Sequence, residues 1–597
     1  MSKYVLAALA VLLLLTRPAA AQTTPAVPRP TAATTLLANL FNAYWEDRAR
    51  LFPLVATAQG DNRYNDRLPN DQTRAFRQQQ GRLYHRYLND LLNIDRARLP
   101  PDDKLSYDIF QYEMRSRLEG LRYVSWMMPF AQIYSLPSTF GLLGTGTSAQ
   151  PFRTVRDYDN WLARVDKFPV WADSAIGNFR QGLRAGVVLP RVLVLRMVPQ
   201  LQAHVAADAT RSPFYGPIVR LPASFSPADR ARLTAAYQQA IATQLTPTYR
   251  RLADFLQTEY LPRARTSSGL ADIPGGAELY RYNVRLATTT DRLPDALYQT
   301  GLSEAKRIRA EMEALKRRVG FKGSLPSFFG YLGSSSRFMP YKTPEEVLNA
   351  FRAIQARSAP GLARAFGRTP KSPFEIRQTE AFRAATASAE YSRGTPDGSR
   401  PGIFYVPIPD ATKFNVTSGM ESLFLHEALP GHHYQLSLQQ ENTALPKFRR
   451  FGSYPAFSEG WGLYCESLGR ELGLYTDPYQ HIGALGDEMH RALRLVVDVG
   501  IHTKGMSREQ AIAYMMANEP ISEQDATTEV ERYLALPGQA LAYKTGALKF
   551  RELRTRYEKQ LGPRFNLRAF HDEILAGGSM PLAVLERRLD AWAARQR

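Results

Sequence analysis

The chain has 597 residues, 44% of them hydrophobic, and a formal charge of +20 from 76 basic and 56 acidic side chains. Its length allows a large buried core, and its single cysteine excludes an internal disulfide, so that core must stabilise the fold. The positive charge is scattered along amphipathic segments without a nucleic-acid motif, so we expect no nucleic-acid partner.

The first residues are typical of an export signal. Lys3 precedes an apolar run at residues 5–15, and the alanines at 19–21 form a cleavage site before Gln22. This run is much shorter than the ~20 residues needed to span a membrane. The sequence therefore predicts a signal peptide at 1–21, cleavage after Ala21, and a periplasmic or extracellular mature chain without a transmembrane segment. An uncleaved anchor is the alternative.

The mature chain divides into a short tether and two large parts. Residues 22–34 are rich in Pro, Thr and Ala, which favours a flexible tether. Apolar residues recur at helical spacing over 35–265, and this predicts a helical amino-terminal half. A Gly-, Ser- and Pro-rich stretch at 264–277 is the best internal boundary, and 266–597 is then a contiguous catalytic half. The predicted fold class is mostly α.

Several elements are predicted within the second half. Residues 282–287 are a candidate short strand, and a helix is expected at about 293–319. Thr343 and Glu346 form a capping box that starts another helix.

A loop and a strand are predicted ahead of the main motif. Residues 391–401 contain too much Gly, Ser and Pro for a regular element, so they predict a loop. Residues 402–409 are β-branched and aromatic and are bounded by prolines, which favours an edge strand. Such a strand could pair with an extended substrate; a buried connector is the alternative.

The densest chemistry lies in residues 424–435, which contain His426, Glu427, His432 and His433. In a zinc-peptidase HExxH helix, the second histidine follows the first by four residues and the glutamate is the general base. Here a straight helix would separate His426 from His433 by about 10 Å along the axis, too far for one ion. A two-residue bulge at Pro430-Gly431 would bring His432 into the ligand place. We therefore favour His432 as the ligand, with His433 as the alternative.

This string, HEALPGHHYQ, resembles the HExxPGH signature of a large bacterial family of exported proteins, catalogued as a domain of unknown function and regarded as predicted zinc metallopeptidases. Further similar segments cover nearly all of the mature chain: 105–110, 391–402, 458–466, 494–502, 537–546 and 570–575. The resemblance implies a gluzincin-like helical fold with a deep cleft, a small edge β-sheet near the metal helix, a Zn²⁺ cofactor, and the histidine after the glycine as a ligand.

A third ligand is expected farther along the chain. Glu459 follows His432 by 27 residues, which allows a loop and an antiparallel return, and small residues surround it in Ser-Glu-Gly-Trp-Gly. The resemblance implies the same assignment. Glu466 lies seven residues on, on roughly the same helical face, where it could support a ligand. A solvated surface charge is the alternative for Glu459.

Catalysis would use Glu427 as the general base on a zinc-bound water and then as the proton shuttle to the leaving amine. Arg494, Asp498 and His502 are spaced four apart on one helical face, so Asp498 could hold His502 as an electrophile or substrate contact. A structural ion-pair ladder is the alternative. Tyr543 could donate to the oxyanion, as tyrosines do in angiotensin-converting-enzyme-like peptidases, or could be a packed core residue.

Three further cations, Arg400, Arg532 and Lys544, are candidates to hold a substrate carboxylate. The predicted function is zinc-dependent hydrolysis of peptide bonds in oligopeptides. The alternatives are a zinc hydrolase of a non-peptide amide, from the cell wall or an acylated amino acid, and a catalytically inactive peptide-binding protein. The sequence predicts neither the end of the peptide that is attacked nor the oligomeric state.

Overall fold

The computed structural model of the protein describes residues 31–133, 135–380, 388–395, 398 and 400–596. The predicted signal peptide, its cleavage site and most of the tether lie outside the described residues. The tether prediction is wrong at its end, because the first helix begins at Ala32 and Thr31 caps it with its side-chain oxygen.

The predicted amino-terminal half is helical, as expected. Its helices are α1 (Ala32–Leu51), α2 (Pro53–Ala58), α3 (Arg74–Leu92), α4 (Pro101–Gly120), α5 (Leu136–Gly144), α6 (Val155–Val165), α7 (Phe168–Ala185), α8 (Arg191–Gln202), α9 (Gly216–Val219), α10 (Pro227–Ala240) and α11 (Thr246–Phe255). A π-helical turn at Ile241–Leu245 joins α10 to α11 without a break.

The second half is also mostly helical and contains the strands of the described residues. These elements are α12 (Gly276–Thr288), α13 (Pro294–Arg318), α14 (Leu325–Ser334), α15 (Pro344–Ala365), β1 (Phe374–Gln378), β2 (Glu390–Ser392), β3 (Gly402–Val406), α16 (Met420–Glu427), α17 (His432–Glu441), α18 (Lys447–Arg450), α19 (Pro455–Ser467), α20 (Pro478–Lys504), α21 (Arg508–Asn518), α22 (Glu523–Ala535), α23 (Ala542–Leu561), α24 (Leu567–Ala576) and α25 (Leu582–Arg595). The mostly α fold class is confirmed.

The local predictions in this half have different outcomes. The strand expected at 282–287 is wrong, because these residues lie inside α12, whose buried Tyr280, Val284 and Ala287 follow helical spacing. The helix expected at 293–319 is confirmed as α13. The capping box is confirmed at the start of α15, where Thr343 and Glu346 bond each other's backbone N–H groups.

The three strands form one small sheet in the order β1-β3-β2. β3 pairs in parallel with β1 and antiparallel with β2, so both of its edges are hydrogen-bonded. The edge-strand prediction is therefore wrong. The prolines at 401, 407 and 409 flank β3 without interrupting it, so each strand residue keeps its N–H for the ladder. The segment expected to be a loop at 391–401 begins inside β2.

One large hydrophobic cluster joins the two ends of the chain, from Leu37 of α1 and Phe110 of α4 to Trp461 of α19 and Trp592 of α25. Helices α19 and α23 approach closely, because a Cβ atom on Gly460 would lie 2.5 Å from the Cα atom of Gly546. This packing fixes α19, which carries Glu459, inside the core. None of the described helices has both the length and the apolar character required to cross a bilayer.

Candidate metal centre

The helix that carries the motif is broken at the point where the sequence requires a deformation. Helix α16 ends at Glu427 and α17 begins at His432, with a non-helical segment of four residues between them. The interruption is thus longer than the two-residue bulge expected at Pro430-Gly431. The indole Nε1 of Trp461 donates a 2.9 Å hydrogen bond to the Pro430 carbonyl and so ties this segment to α19.

The break brings three potential ligands together. Donor atoms of His426, His432 and Glu459 all lie within 4.8 Å of one another. The Oε2 atom of Glu459 is 3.7 Å from Nε2 of His426 and 3.4 Å from Nε2 of His432. Two ligands bound at about 2 Å to one tetrahedral ion are roughly 3.3 Å apart. The two separations between Glu459 and the histidines therefore fit a single small cation.

His433 lies outside this group. Its Nδ1 atom is 3.0 Å from the Tyr391 hydroxyl, and its ring packs on Phe374 with centroids 4.7 Å apart. Burial lowers the pKa of His433 to about 4, so the ring is neutral at pH 7. Of the two histidines left open by the sequence, the structure places His432 next to Glu459 and uses His433 to hold the sheet against α17.

The orientation of His426 is fixed from behind. Its Nδ1 atom lies 2.7 Å from Oε1 of Glu466, which places the Nδ1 proton between them and directs Nε2 at Oε2 of Glu459. The absence of a side chain at residue 462 leaves room for the ring, since a Cβ atom there would lie 2.8 Å from Cε1 and Nε2 of His426. Glu466 and Gly462 therefore set the position and tautomer of the first histidine.

The charges of the site are complementary to a cation. Burial opposes ionisation of Glu459, but hydrogen bonds from His426 and His432 outweigh this effect and lower the pKa of its carboxyl. Burial raises the pKa of Glu427, which is partly exposed beside the ligand pair at the end of α16. A donor set of two imidazoles and one carboxylate suits zinc and leaves a coordination position for water or substrate.

Tyr543 and Arg494 extend the site along α23 and α20. The Tyr543 ring stacks near His426, with centroids 6.4 Å apart and an interplanar angle of 22°. The Arg494 guanidinium covers the same ring, with Cζ 4.5 Å from its centroid. The three side chains form one layer that runs from the candidate ligands into the protein.

Comparison with known proteins assigns the chain to a family. The DUF885 family, described as a bacterial protein of unknown function, matches residues 53–589. The chain belongs to the DUF885 family. A structure of a candidate lipoprotein from Colwellia psychrerythraea is similar at 26% identity and a TM-score of 0.86, with 95% of this chain and 100% of that chain covered.

A second solved structure, of a candidate lipoprotein of unknown function from Shewanella oneidensis, shares the fold at 20% identity and a TM-score of 0.74. The similarity covers 92% of this chain and 99% of that one. None of the curated proteins matches this DUF885 protein.

The predicted link between Asp498 and His502 is wrong. His502 is fully buried: its Nδ1 accepts from the Leu270 N–H, and its Nε2 lies 3.0 Å from the Tyr533 carbonyl. Asp498 instead accepts from the Tyr280 hydroxyl and the Gly538 N–H. His502 is therefore a structural residue of the DUF885 core, because neither of its nitrogens is available to a substrate.

The alternative, an ion-pair ladder through Arg494 and Asp498, is also wrong, since Arg494 pairs with Glu529 of α22 at 2.9 Å. Lys544 does not fit a substrate contact, because its side chain is 1% exposed and its ammonium pairs with Glu304 and Glu488. Arg400 is exposed in the segment between β2 and β3. Arg532 reaches Glu529 at 3.5 Å and Gln539 at 3.0 Å, beside Arg494.

The sequence reasoning missed Arg491, which lies one turn before Arg494 on α20. Its Nη1 is 3.3 Å from Asp487, and its Nε is buried without a hydrogen-bond partner in the described part of the chain. The signal was available in part, because Asp487, Arg491, Arg494 and Asp498 recur at spacings of four, three and four. The sequence did not predict that this face of α20 packs against α16.

Proposed function

We propose that this DUF885 protein hydrolyses peptide bonds in oligopeptides, with Zn²⁺ held by His426, His432 and Glu459 and with Glu427 as the general base. The observation that supports this proposal is the convergence of three ligand atoms within 4.8 Å beside a partly exposed glutamate. An isolated surface cluster would lack the supporting contacts that hold these side chains in place.

The chain's own residues have distinct tasks in this proposal. His426, His432 and Glu459 offer Nε2, Nε2 and Oε2 toward one point. Glu466 keeps a proton of His426 on Nδ1, so that Nε2 is the nitrogen directed at the metal position. Zinc, when bound, supplies Lewis-acid polarisation of the attacking water and of the scissile carbonyl.

Glu427 moves the protons. Its carboxylate takes a proton from the attacking water, whose oxygen bonds to the carbonyl carbon, and returns the proton to the nitrogen as the C–N bond breaks. The products are a new carboxylate and a free amine. The presence of this carboxylate favours an enzyme over a binding protein that keeps only the scaffold. Tyr543, stacked near His426, is the proposed donor to the oxyanion.

We also propose that the protein is exported. The amino-terminal sequence is typical of a signal peptide. The similar chains from Colwellia and Shewanella are described as candidate lipoproteins, which are proteins of the cell envelope.

Two experiments test the proposal. The purified mature chain with one equivalent of zinc is incubated with a diverse peptide library, and products are read by mass spectrometry. We expect new termini with wild type and none with Glu427→Gln, which should retain the metal. A Glu427→Gln variant that binds zinc and hydrolyses peptides at the wild-type rate would exclude Glu427 as the base.

Metal analysis separates the two histidines. His432→Ala should lose stoichiometric zinc, whereas the adjacent control His433→Ala should retain it because His433 contacts Tyr391 and Phe374 instead. Loss of zinc from the His433 variant alone would overturn the ligand assignment.

A further inference from the structure

Helix α20 runs beside α16 in the same direction, and this alignment places an arginine level with the metal centre. A Cβ atom on Gly483 would lie 2.6 Å from the Gly419 nitrogen, and the Ser422 hydroxyl donates a 2.5 Å hydrogen bond to Asp487. A step of four residues along α20 therefore matches a step of three along α16. The next step along α20 reaches Arg491, level with Leu425, the residue before His426.

Arg491 has donor capacity that the protein does not use. Its guanidinium makes its hydrogen bonds in the described part of the chain from Nη1 to the Asp487 backbone and carboxylate, each at 3.3 Å. Its Nε has no partner. The Nε is buried, but 16% of the whole side chain is exposed, so a ligand can reach another part of it. A guanidinium in this state is prepared to bind an anion with fork geometry.

Two more arginines lie directly behind it. Arg494 is only 6% exposed, and its Nη1 is buried without a partner in the described residues. Arg494 and Arg532 share one carboxylate, that of Glu529, which also lies 3.5 Å from Nε2 of His490. Arg491 also interacts with the Glu466 carboxylate, so the three guanidinium groups face three carboxylates, those of Asp487, Glu466 and Glu529.

The distances limit what the anion can be. The Arg494 Cζ atom is 4.5 Å from the centroid of the Tyr543 ring, which is 6.4 Å from the centroid of the His426 ring. Arg494 therefore lies within about 11 Å of the candidate metal ligand His426. Arg491 lies one turn before Arg494 on the same face of α20, about 5 Å away along the helix axis. Two residues of extended peptide span about 7 Å. A carboxylate one or two residues beyond the scissile bond would thus reach Arg491.

We propose that Arg491, supported by the charges of Arg494 and Arg532, binds the free α-carboxylate of the substrate, so that the protein removes one or two residues from the carboxyl end of a peptide. This inference rests on the proposed peptidase function. In the reaction, water adds to the carbonyl carbon, the C–N bond breaks, and an amino acid or dipeptide leaves with the transferred proton on its nitrogen.

The test uses N-acetylated peptides of one sequence, chosen as the library peptide cleaved fastest, that end either in a free carboxylate or in a carboxamide. We expect wild type to favour the acid over the amide by about 10- to 100-fold in kcat/KM, the effect of one charged hydrogen bond. In Arg491→Gln this ratio should fall to near one. In Arg491→Lys it should lie between the wild-type ratio and that of Arg491→Gln. Both rates are measured on the same enzyme sample, so the fraction of folded enzyme cancels from the ratio. A partly unfolded variant therefore still reports the preference for the acid over the amide.

Two controls narrow the result. Arg551→Gln removes an arginine that pairs with Glu488 at 3.2 Å and is 42% exposed, and it should leave the ratio unchanged. A carboxamide peptide with Asp as its last residue shows whether a side-chain carboxylate can replace the α-carboxylate. Binding of the acid and the amide to Glu427→Gln, measured by calorimetry, reports the same preference without turnover.

Each outcome decides a separate point. Cleavage of acid and amide at equal rates overturns the inference and leaves the peptidase function intact, as does equal cleavage of the Asp-ended amide and the acid. An unchanged ratio in Arg491→Gln excludes Arg491 as the carboxylate contact. Cleavage of no peptide in the library, in either form, refutes the peptidase function itself.

Discussion

Gly462→Ala tests whether the room left for His426 matters to metal binding. Residue 462 lies inside helix α19, where alanine normally stabilises by about 1 kcal/mol relative to glycine. Here the new Cβ atom would lie 2.8 Å from Nε2 and Cε1 of His426, closer than van der Waals contact. Over-packing of this kind costs roughly 1–3 kcal/mol, so the ring must shift and the net stability should fall slightly or stay level.

The shift moves the atom that would bind the metal. We expect zinc affinity to fall by about 10- to 100-fold, the usual effect of disturbing the groups that support a metal ligand. Zinc affinity is measured by competition with a chromophoric chelator, and stability by thermal unfolding of the metal-free protein. Gly177→Ala in α7 is the matched control, because nothing lies within 4 Å of its added Cβ and it should only stabilise. Wild-type zinc affinity in Gly462→Ala, with a stability gain equal to that of Gly177→Ala, would refute the reasoning.

Three other predictions follow from single contacts. Glu466→Gln removes the charge behind His426 and should weaken zinc binding by about 10- to 100-fold in the same chelator assay; unchanged affinity would exclude this support role. Gly460→Ala should destabilise the metal-free protein by about 1–3 kcal/mol in thermal unfolding, because α19 and α23 must separate; an unchanged melting temperature would contradict the contact with Gly546. Burial raises the pKa of Asp498 to about 7, although hydrogen bonds from Tyr280 and Gly538 oppose the rise. A raised folded-state pKa means that stability present below about pH 4 is lost as pH rises through 7, so Asp498→Asn should gain up to about 4 kcal/mol over wild type across that interval. Melting temperatures of both proteins at several pH values check this, and a constant difference would contradict it.

The register of the second histidine could be predicted because chemistry restricts it strongly. One ion cannot bind His426 and a residue two turns away on a straight helix, and Pro430-Gly431 is where a helix breaks most easily. The structure indeed breaks the helix there and places His432 beside Glu459. The length of the break could not be predicted, since it depends on the contact of Trp461 with the Pro430 carbonyl.

The wrong predictions share a physical origin. Residues 282–287 contain aromatic and β-branched side chains that suit a strand, but packing of Tyr280 and Val284 against the core selects a helix. Prolines around β3 suggested an edge, although flanking prolines leave the N–H groups of the strand itself intact. The spacing of Asp498 and His502 allowed contact, but partners from other elements, Tyr280 and Tyr533, bind these side chains instead. In each case, tertiary contacts outweighed a local pattern.

Some buried charged side chains around α20 have all their hydrogen-bond partners, and others do not. Asp498 accepts hydrogen bonds from two groups, and Glu529 is contacted by two arginines, a histidine and a tyrosine. Arg491 and Arg494 each leave a buried N–H group unpaired in the described chain, at a cost of about 1–3 kcal/mol per group. Arg491 keeps 16% of its side chain exposed where α20 passes the metal centre, so a ligand that supplies acceptor oxygens there can contact its guanidinium. The ratio of kcat/KM for the acid and the amide peptide therefore measures how strongly Arg491 favours a substrate that ends in a carboxylate.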